Sequence, residues 1–382
     1  MRLIATADWH IHEFSEFSST VNVRWNNSSL RFEQLDTPDA KPMNTRLLNI
    51  LNGICDIRDY AHTHNITRVI NAGDVFHKRG SISVTAFNAA YKVINSFHRL
   101  GIQLYIIAGN HDQVDSSISP ETSIHTFRDI AEVIEQPKVI SLADPTSSLD
   151  IAFVPYSKDK SYIISTVDDF RTSINTKQSI LVAHLGMSGG TVGSGMYMMS
   201  DEYSMKDIYW DKWKFVVLGH YHQPQLLSHN TLYPGTPVQN TFNDELPSTH
   251  EGGGYNGFYI LDTEKPPEQN IEFIPIHAPR FITVNSVDQM KSYSDEGYFR
   301  IKASGDTIED TISQVEDVPN VKVEVEKDYT EPSRSTIGLN DTFDDALKKY
   351  VQEHYTGDNP NILKTGLDIL HSVMIGGDSD DI

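Results

Sequence analysis

The chain has 382 residues, 38% of them apolar and 22% charged, enough for two domains plus a tail and for a large core. No run of about 18 uncharged apolar residues exists to cross a bilayer, which excludes a protein that spans one. Its 31 basic and 52 acidic residues give a formal charge of −21, which argues against coating nucleic acid by charge alone.

In chain order, Arg2 to Ala7 reads as a short strand without the length or cleavage site of a signal peptide, so the mature protein is expected to start at residue 1 or 2. Residues 11–41 are polar, without a convincing period, and longer than an ordinary loop; they are expected to be an insertion with local function or local disorder. Thr45 to His62 sets Leu47, Leu51, Ile54 and Ala61 at helical spacing, and Arg68 to Ala72 is a second strand. Ser83 to Arg99 repeats the helix and Gln103 to Ala108 the strand, which completes a βαβαβ signature. Cys55, the single cysteine, lies inside the first helical pattern and reads as core filler in a reducing, cytoplasmic compartment. Further strands are expected at Ile151 to Pro155, Ile180 to Ala183 and Phe215 to Leu218, and a β-rich closing section at Leu232-Tyr233, Gly257 to Asp262 and Ile271 to Ile276. The order fits a layered α/β domain with two sheets over residues 1–279.

Beyond Pro279 the texture changes to a small α+β pattern over 280–329, with strands at Phe281 to Val284, Tyr298 to Lys302 and Val321 to Val325 around a polar helix. A polar linker (330–340), a helical region (341–375) and an acidic, disordered tail (376–382) follow. In that region Ile362, Leu363, Leu367, Leu370 and Val373 make an apolar face, which suits a partner or the chain's own domain equally.

The chemistry-bearing residues fall at strand ends: Asp8-Trp9-His10, Gly73-Asp74, Gly109-Asn110-His111-Asp112, His184 and Gly219-His220-Tyr221-His222. One Asp or His after a strand is more often a turn or cap residue. Five in order are a stronger signal, because loops at the carboxyl ends of α/β strands converge on one crevice. Two neighbouring cations repel, so a bridging carboxylate must lower their mutual energy, and Asp74 is the natural bridge. Imidazoles from His10, His184, His220 and His222 are borderline ligands suited to manganese, iron or zinc, and the Asn110 amide oxygen ligates without adding charge.

These blocks resemble the calcineurin-like metallophosphoesterase pattern DxH, GD, GNHD, H and GHxH. The resemblance implies an α-β-β-α fold, with Asp8, His10 and His222 on one metal, Asn110, His184 and His220 on the other, and Asp74 shared. It also implies that His111 lies over the scissile phosphate, stabilising the transition state and protonating the leaving oxygen. Asp74-Val75-Phe76-His77-Lys78 and Tyr233-Pro234-Gly235-Thr236-Pro237 further resemble segments of the SbcD-type nucleases and their phage recombination-endonuclease counterparts, in which the histidine matching His77 approaches the substrate. By layout, 280–329 matches their capping domain and 341–375 the region that docks on an SbcC-type coiled-coil ATPase. The implied activity is DNA phosphodiester hydrolysis in break processing, recombination or replication. Two divalent ions, Mn2+ before Mg2+, Fe2+ or Zn2+, bind the phosphate and lower the pKa of the attacking water. DNA and the ATPase are the implied partners, a homodimer is allowed, and the place is the cytoplasm, or the host cytoplasm for a phage protein. The rival is a phosphatase or small-molecule phosphodiesterase; a non-enzymatic scaffold is disfavoured by the complete ligand set.

Two features stay open. Met187, Met196, Met198, Met199 and Met205 with Gly189, Gly190, Gly193 and Gly195 make a loop that could cover the site or simply pack. Trp25 with Arg24 and Arg31 could stack on and pair with a nucleic-acid strand, although an insertion anchored by one buried tryptophan is the plainer reading.

Overall fold

Alternate residues of the central strands belong to different cores, and this alternation builds the layers. On the first strand, Ile4 packs with the helices while Leu3 and Ala5 face the second sheet. In the second sheet, Ile180 and Val182 with Phe215 and Val217 meet that same central core, whereas Leu181, Ala183, Val216 and Leu218 pack on the far side. The result is helix, sheet, sheet, helix. A computed structural model describes residues 1–115, 120–144, 147–175, 178–192, 197–198, 203–293, 297–325, 343–354 and 361–367; they fall into two compact units, Met1–Val325 and Glu326–Ile382.

The first unit begins with β1 (Arg2–Thr6), β2 (Thr20–Asn26), β3 (Arg31–Gln34), β4 (Lys41–Asn44), α1 (Thr45–Thr63), β5 (Arg68–Asn71), α2 (Val84–Arg99), β6 (Gln103–Ile107) and β7 (Glu132–Ile134). It continues with β8 (Lys138–Asp144), β9 (Ser147–Val154), α3 (Lys160–Ser173), β10 (Ser179–His184), a two-residue pair β11 (Thr191–Val192) and β12 (Tyr197–Met198), then β13 (Phe215–Gly219), β14 (Gln225–Leu226), β15 (Thr231–Tyr233), β16 (Gly257–Asp262) and β17 (Ile271–Pro275). One six-stranded sheet has the order β17-β16-β1-β5-β6-β7 and the other β14-β15-β13-β10-β9-β8. β1, β5, β6 and β7 run parallel, as do β9, β10, β13 and β15, so their carboxyl ends open on a common side within each sheet. Helices α1 and α2 cover the first sheet through Leu47, Ile54, Val93 and Phe97, and α3 covers the second through Ile163 and Val167. α1 starts on the Asn44 side chain, which accepts from the Leu47 N–H, and α2 starts likewise on Ser83. No described helix is long and apolar enough to cross a membrane.

Residues 11–41, in which the sequence shows no convincing period, enter a three-stranded antiparallel sheet, β3-β2-β4, that spans residues 20–44; residues 12–19 leading into it carry no strand. Val21, Val23 and Trp25 of β2 pack against the α1/α2 core while Asn22 and Arg24 are exposed. That is a period of two, but its four-residue partners are too short to show it. Trp25 is half-buried, and Arg31 is committed to Asp56 and Asp59 of α1 rather than free for a ligand.

The unit closes with β18 (Arg280–Val284), α4 (Val287–Lys291), β19 (Gly297–Ala303), α5 (Ile308–Val315) and β20 (Val321–Val325). These strands make a parallel three-stranded sheet with its own core, including Ile282, Val284, Phe299 and Ile301. It joins the two-sheet body through an aromatic cluster of Phe17, Phe242, Phe281 and Tyr298. Arg46 of α1 is buried beside it, donating to the carbonyls of Glu16 and Asn240 with its guanidinium over Phe281 and Tyr298. In the second unit, α6 (Phe343–His354) and a helical stretch at 361–367 are described; residues 330–340, 368–375 and the acidic tail lie outside the described residues, as does most of the methionine- and glycine-rich loop after Gly190.

Candidate metal centre

Every motif loop leaves the carboxyl end of a strand. Asp8 and His10 follow β1, Asp74 follows β5, Asn110 and His111 follow β6, His184 ends β10, and His220 and His222 follow β13. The first sheet therefore brings two aspartates, an amide and two histidines, and the second sheet brings three more imidazoles. The two sets meet because the backbones approach closely. A Cβ on Gly219 would lie 2.0 Å from the Ala72 carbonyl oxygen, and one on Gly109 would lie 2.1 Å from Asp74 Oδ1, so neither position tolerates a side chain. The aim of the ligands also needs unusual backbone: Asp8, His10 and Asp74 lie at φ of 50°, 44° and 57°, a region that non-glycine residues occupy at a cost and that gathers at functional sites.

Hydrogen bonds hold the loops and set the ring tautomers. The Asp8 carboxylate accepts the His220 N–H at 3.0 Å, tying the first motif to the last. Asp74 Oδ1 accepts the His111 N–H at 2.8 Å. His184 Nδ1 donates to the Ala72 carbonyl at 2.8 Å, which turns Nε2 into the site, 2.9 Å from Asn110 Oδ1 and 3.3 Å from Asp74 Oδ2. His220 Nδ1 lies 3.2 Å from the same Asn110 oxygen. His10 Nε2 is buried, makes no hydrogen bond, and sits 3.8 Å from Asp74 Oδ2. His111 Nδ1 donates to the His77 carbonyl, and the His77 ring lies against that of His10 with Nδ1 atoms 3.3 Å apart.

Two buried aspartates complete the site: Asp112, which the third motif contains but to which the sequence assigned no role, and Asp244, which it did not single out. Asp112 accepts from the N–H groups of Val75, Phe76 and Gly109, clamping the second motif loop to the third. Asp244 accepts from His222 Nδ1 at 2.9 Å and from the N–H groups of Asn240 and Thr241. A carboxylate behind an imidazole of this kind orients the ring and raises its basicity.

Burial and mutual charge set the protonation. Burial pushes Asp8 up to about 7, with the neighbouring Asp74 carboxylate adding to the effect. Burial works against ionisation of Asp74 too, but His184 and His10 hold it well below the ordinary carboxylate range. His184 and His222 are pushed up to about 9: burial opposes this, and Asp74 and Asp244 respectively outweigh it. Burial, reinforced by neighbouring histidines, depresses His10 and takes His77 and His220 down to about 4. Three overlapping sets have ligand atoms within 4.8 Å of one another: Asp8, His10 and His222; Asp8, Asp74 and His184; and His10, His77 and His111. Together with Asn110 and His220, hydrogen-bonded at the same place, these are all nine residues singled out from the sequence. The buried, unpartnered His10 Nε2 and the mixed imidazole and carboxylate donors fit divalent transition-metal ions.

The calcineurin-like phosphoesterase family model matches residues 1–224, which include every one of those nine residues. The chain belongs to the calcineurin-like phosphoesterase family. Within it, the chain is 25% identical over 231 residues to exonuclease subunit 1 of Enterobacteria phage T4. It is 23% identical over 233 residues to the DNA double-strand break repair protein Mre11 of Methanocaldococcus jannaschii. Each match covers 59% of this phosphoesterase, and the chain spans 60% of the length of each of these two relatives.

Proposed function

We propose that this phosphoesterase is a nuclease subunit that hydrolyses DNA phosphodiester bonds at a two-metal centre. The observation that carries the two-metal reading is the position of Asp74, whose Oδ2 is 3.8 Å from His10 Nε2 and 3.3 Å from His184 Nε2, one imidazole from each ligand group. Asp8, His10 and His222 would hold one ion, Asn110, His184 and His220 the other, and Asp74 would contribute to both, with Mn2+ as the preferred metal. Similarity to an exonuclease subunit and a break-repair protein supports DNA as the substrate.

Ions held by these residues would supply positive charge to the scissile phosphate and lower the pKa of the attacking water. The remaining work falls to this chain's own side chains. With Nδ1 held by the His77 carbonyl, His111 keeps Nε2 for the substrate, where the ring hydrogen-bonds a non-bridging oxygen and passes a proton to the leaving sugar oxygen. His77 positions that ring and approaches the substrate. Asp244 and the Ala72 carbonyl fix the tautomers of His222 and His184. In the same reading, residues 280–329 are the capping domain and 341–375 dock on an SbcC-type ATPase; a homodimer is compatible with it. The deciding assay is end-labelled DNA with manganese, with and without a cognate ATPase. Metal-dependent release of labelled product is expected; cleavage of a small phosphodiester without any cleavage of DNA would replace this reading with a small-molecule phosphodiesterase.

A further inference from the structure

A groove of about 850 Å³ runs between the inserted sheet and α2. Its aromatic wall is unusual for a surface. Trp25 and Phe32 of the insertion are only half-buried, Tyr91 of α2 is 41% exposed, and Val84 at the start of α2 is 77% exposed. Cations line the same groove: Lys41 on β4, and Lys92 and Arg99 on α2, all exposed. Arg24 also lines it but is paired with Asp39, the groove's sole carboxylate, at 3.1 Å. Among the described residues no carboxylate pairs with Lys41, Lys92 or Arg99; Lys92 lies over the Phe32 ring and Arg99 donates to Asn27. Three uncompensated cations stand out in a chain of charge −21, and they are interleaved with accessible rings.

We propose that this groove binds a single strand of nucleic acid, the bases stacking on Tyr91 and Trp25 and the phosphates meeting Lys41, Lys92 and Arg99. Charge complementarity selects a polyanion, and the exposed rings select one that carries flat apolar bases. Chain connectivity gives the groove a place in the reaction. The insertion follows directly from His10 and Ile11, and α2 follows His77 through the exposed Lys78 and Arg79. Both walls are thus joined along the chain to loops that carry the metal centre, the inserted sheet through residues 12–19 and α2 through residues 78–83. The substrate class rests on the nuclease reading above.

The test uses the full chain in EDTA, so that nothing is cut, and fluorescein-labelled oligothymidylate followed by anisotropy. The triple variant Lys41→Glu, Lys92→Glu, Arg99→Glu is expected to lose about tenfold or more in affinity, and its dependence of log K on log salt should flatten by about 2, from roughly 0.7 per lost phosphate contact. Tyr91→Ala, a surface change, should weaken binding about tenfold at an unchanged salt slope, because it removes stacking rather than charge. Both variants should hydrolyse a small phosphodiester with manganese at the parental rate. Parental affinity and slope in the triple variant would overturn the groove, as would tighter capture of labelled polyglutamate than of the oligonucleotide. A parent that binds the strand and cleaves the small diester but never cuts DNA would defeat the nuclease reading alone and leave the groove standing.

Discussion

Adjacent residues of one loop are given different work by where their polar atoms find partners. Asn110 places its oxygen against two imidazoles, while His111 is tethered through Nδ1 to a carbonyl and through its N–H to Asp74. His111→Ala is therefore expected to keep both metals and lose about 10² to 10⁴ in cleavage rate, whereas His220→Ala loses metal as well; metal content and cleavage measured on one preparation separate the two. Asp244 makes a second case. Its carboxylate gives His222 much of its basicity, so Asp244→Asn should lower metal affinity about 10- to 100-fold while the fold persists, which metal titration on the folded variant would show. A variant with parental affinity would remove Asp244 from the site. This residue was hard to find in the sequence because it lies 22 positions beyond His222 and reads locally as the end of the capping box Thr241-Phe242-Asn243-Asp244. Asp112 was in plain view within its motif, but only the structure shows it accepting three backbone N–H groups.

At the level of elements, the strands that carry ligands were legible because they are buried on both faces and read as continuous apolar runs, as in Ile180 to Ala183 and Phe215 to Leu218. α3 was not legible: Lys160 to Ser173 buries only Ile163 and Val167, too thin a stripe to stand out. The inserted sheet was missed for a related reason, since β2 fully buries only Val23, with Val21 and Trp25 half-buried, and owes its order to pairing on both sides. The division of labour among elements has its own test. All proposed ligands and both supporting aspartates lie in the unit Met1–Val325, so a chain ending at Gly338 should keep its metals and its hydrolysis of small phosphodiesters. If the proposed docking on an ATPase holds, the same chain should fail to co-purify with it. Unchanged co-purification would remove the helices after residue 338 from that role.

On the scale of the whole molecule, the centre lies where two sheets meet, and its donors come from both. A ligand that binds only when those donors are assembled stabilises the folded state by mass action, about 2.7 kcal/mol at a hundred times its dissociation constant. Thermal unfolding should therefore move to higher temperature with added Mn2+ and fall back with EDTA, and a midpoint indifferent to both would contradict a site shared between the sheets. The spacing of the donors along the chain has a consequence during synthesis. On the proposed assignment, Asp8, Asp74 and Asn110 emerge first and the imidazoles of His184, His220 and His222 only later, with the Asp244 support for His222 later still. A nascent chain that has made the first sheet holds carboxylates and an amide but lacks most of the nitrogen donors that favour a transition metal. On that assignment the full donor set exists only once the stretch from His184 to Asp244 has been made, so an unfinished chain carries the first sheet without a completed centre.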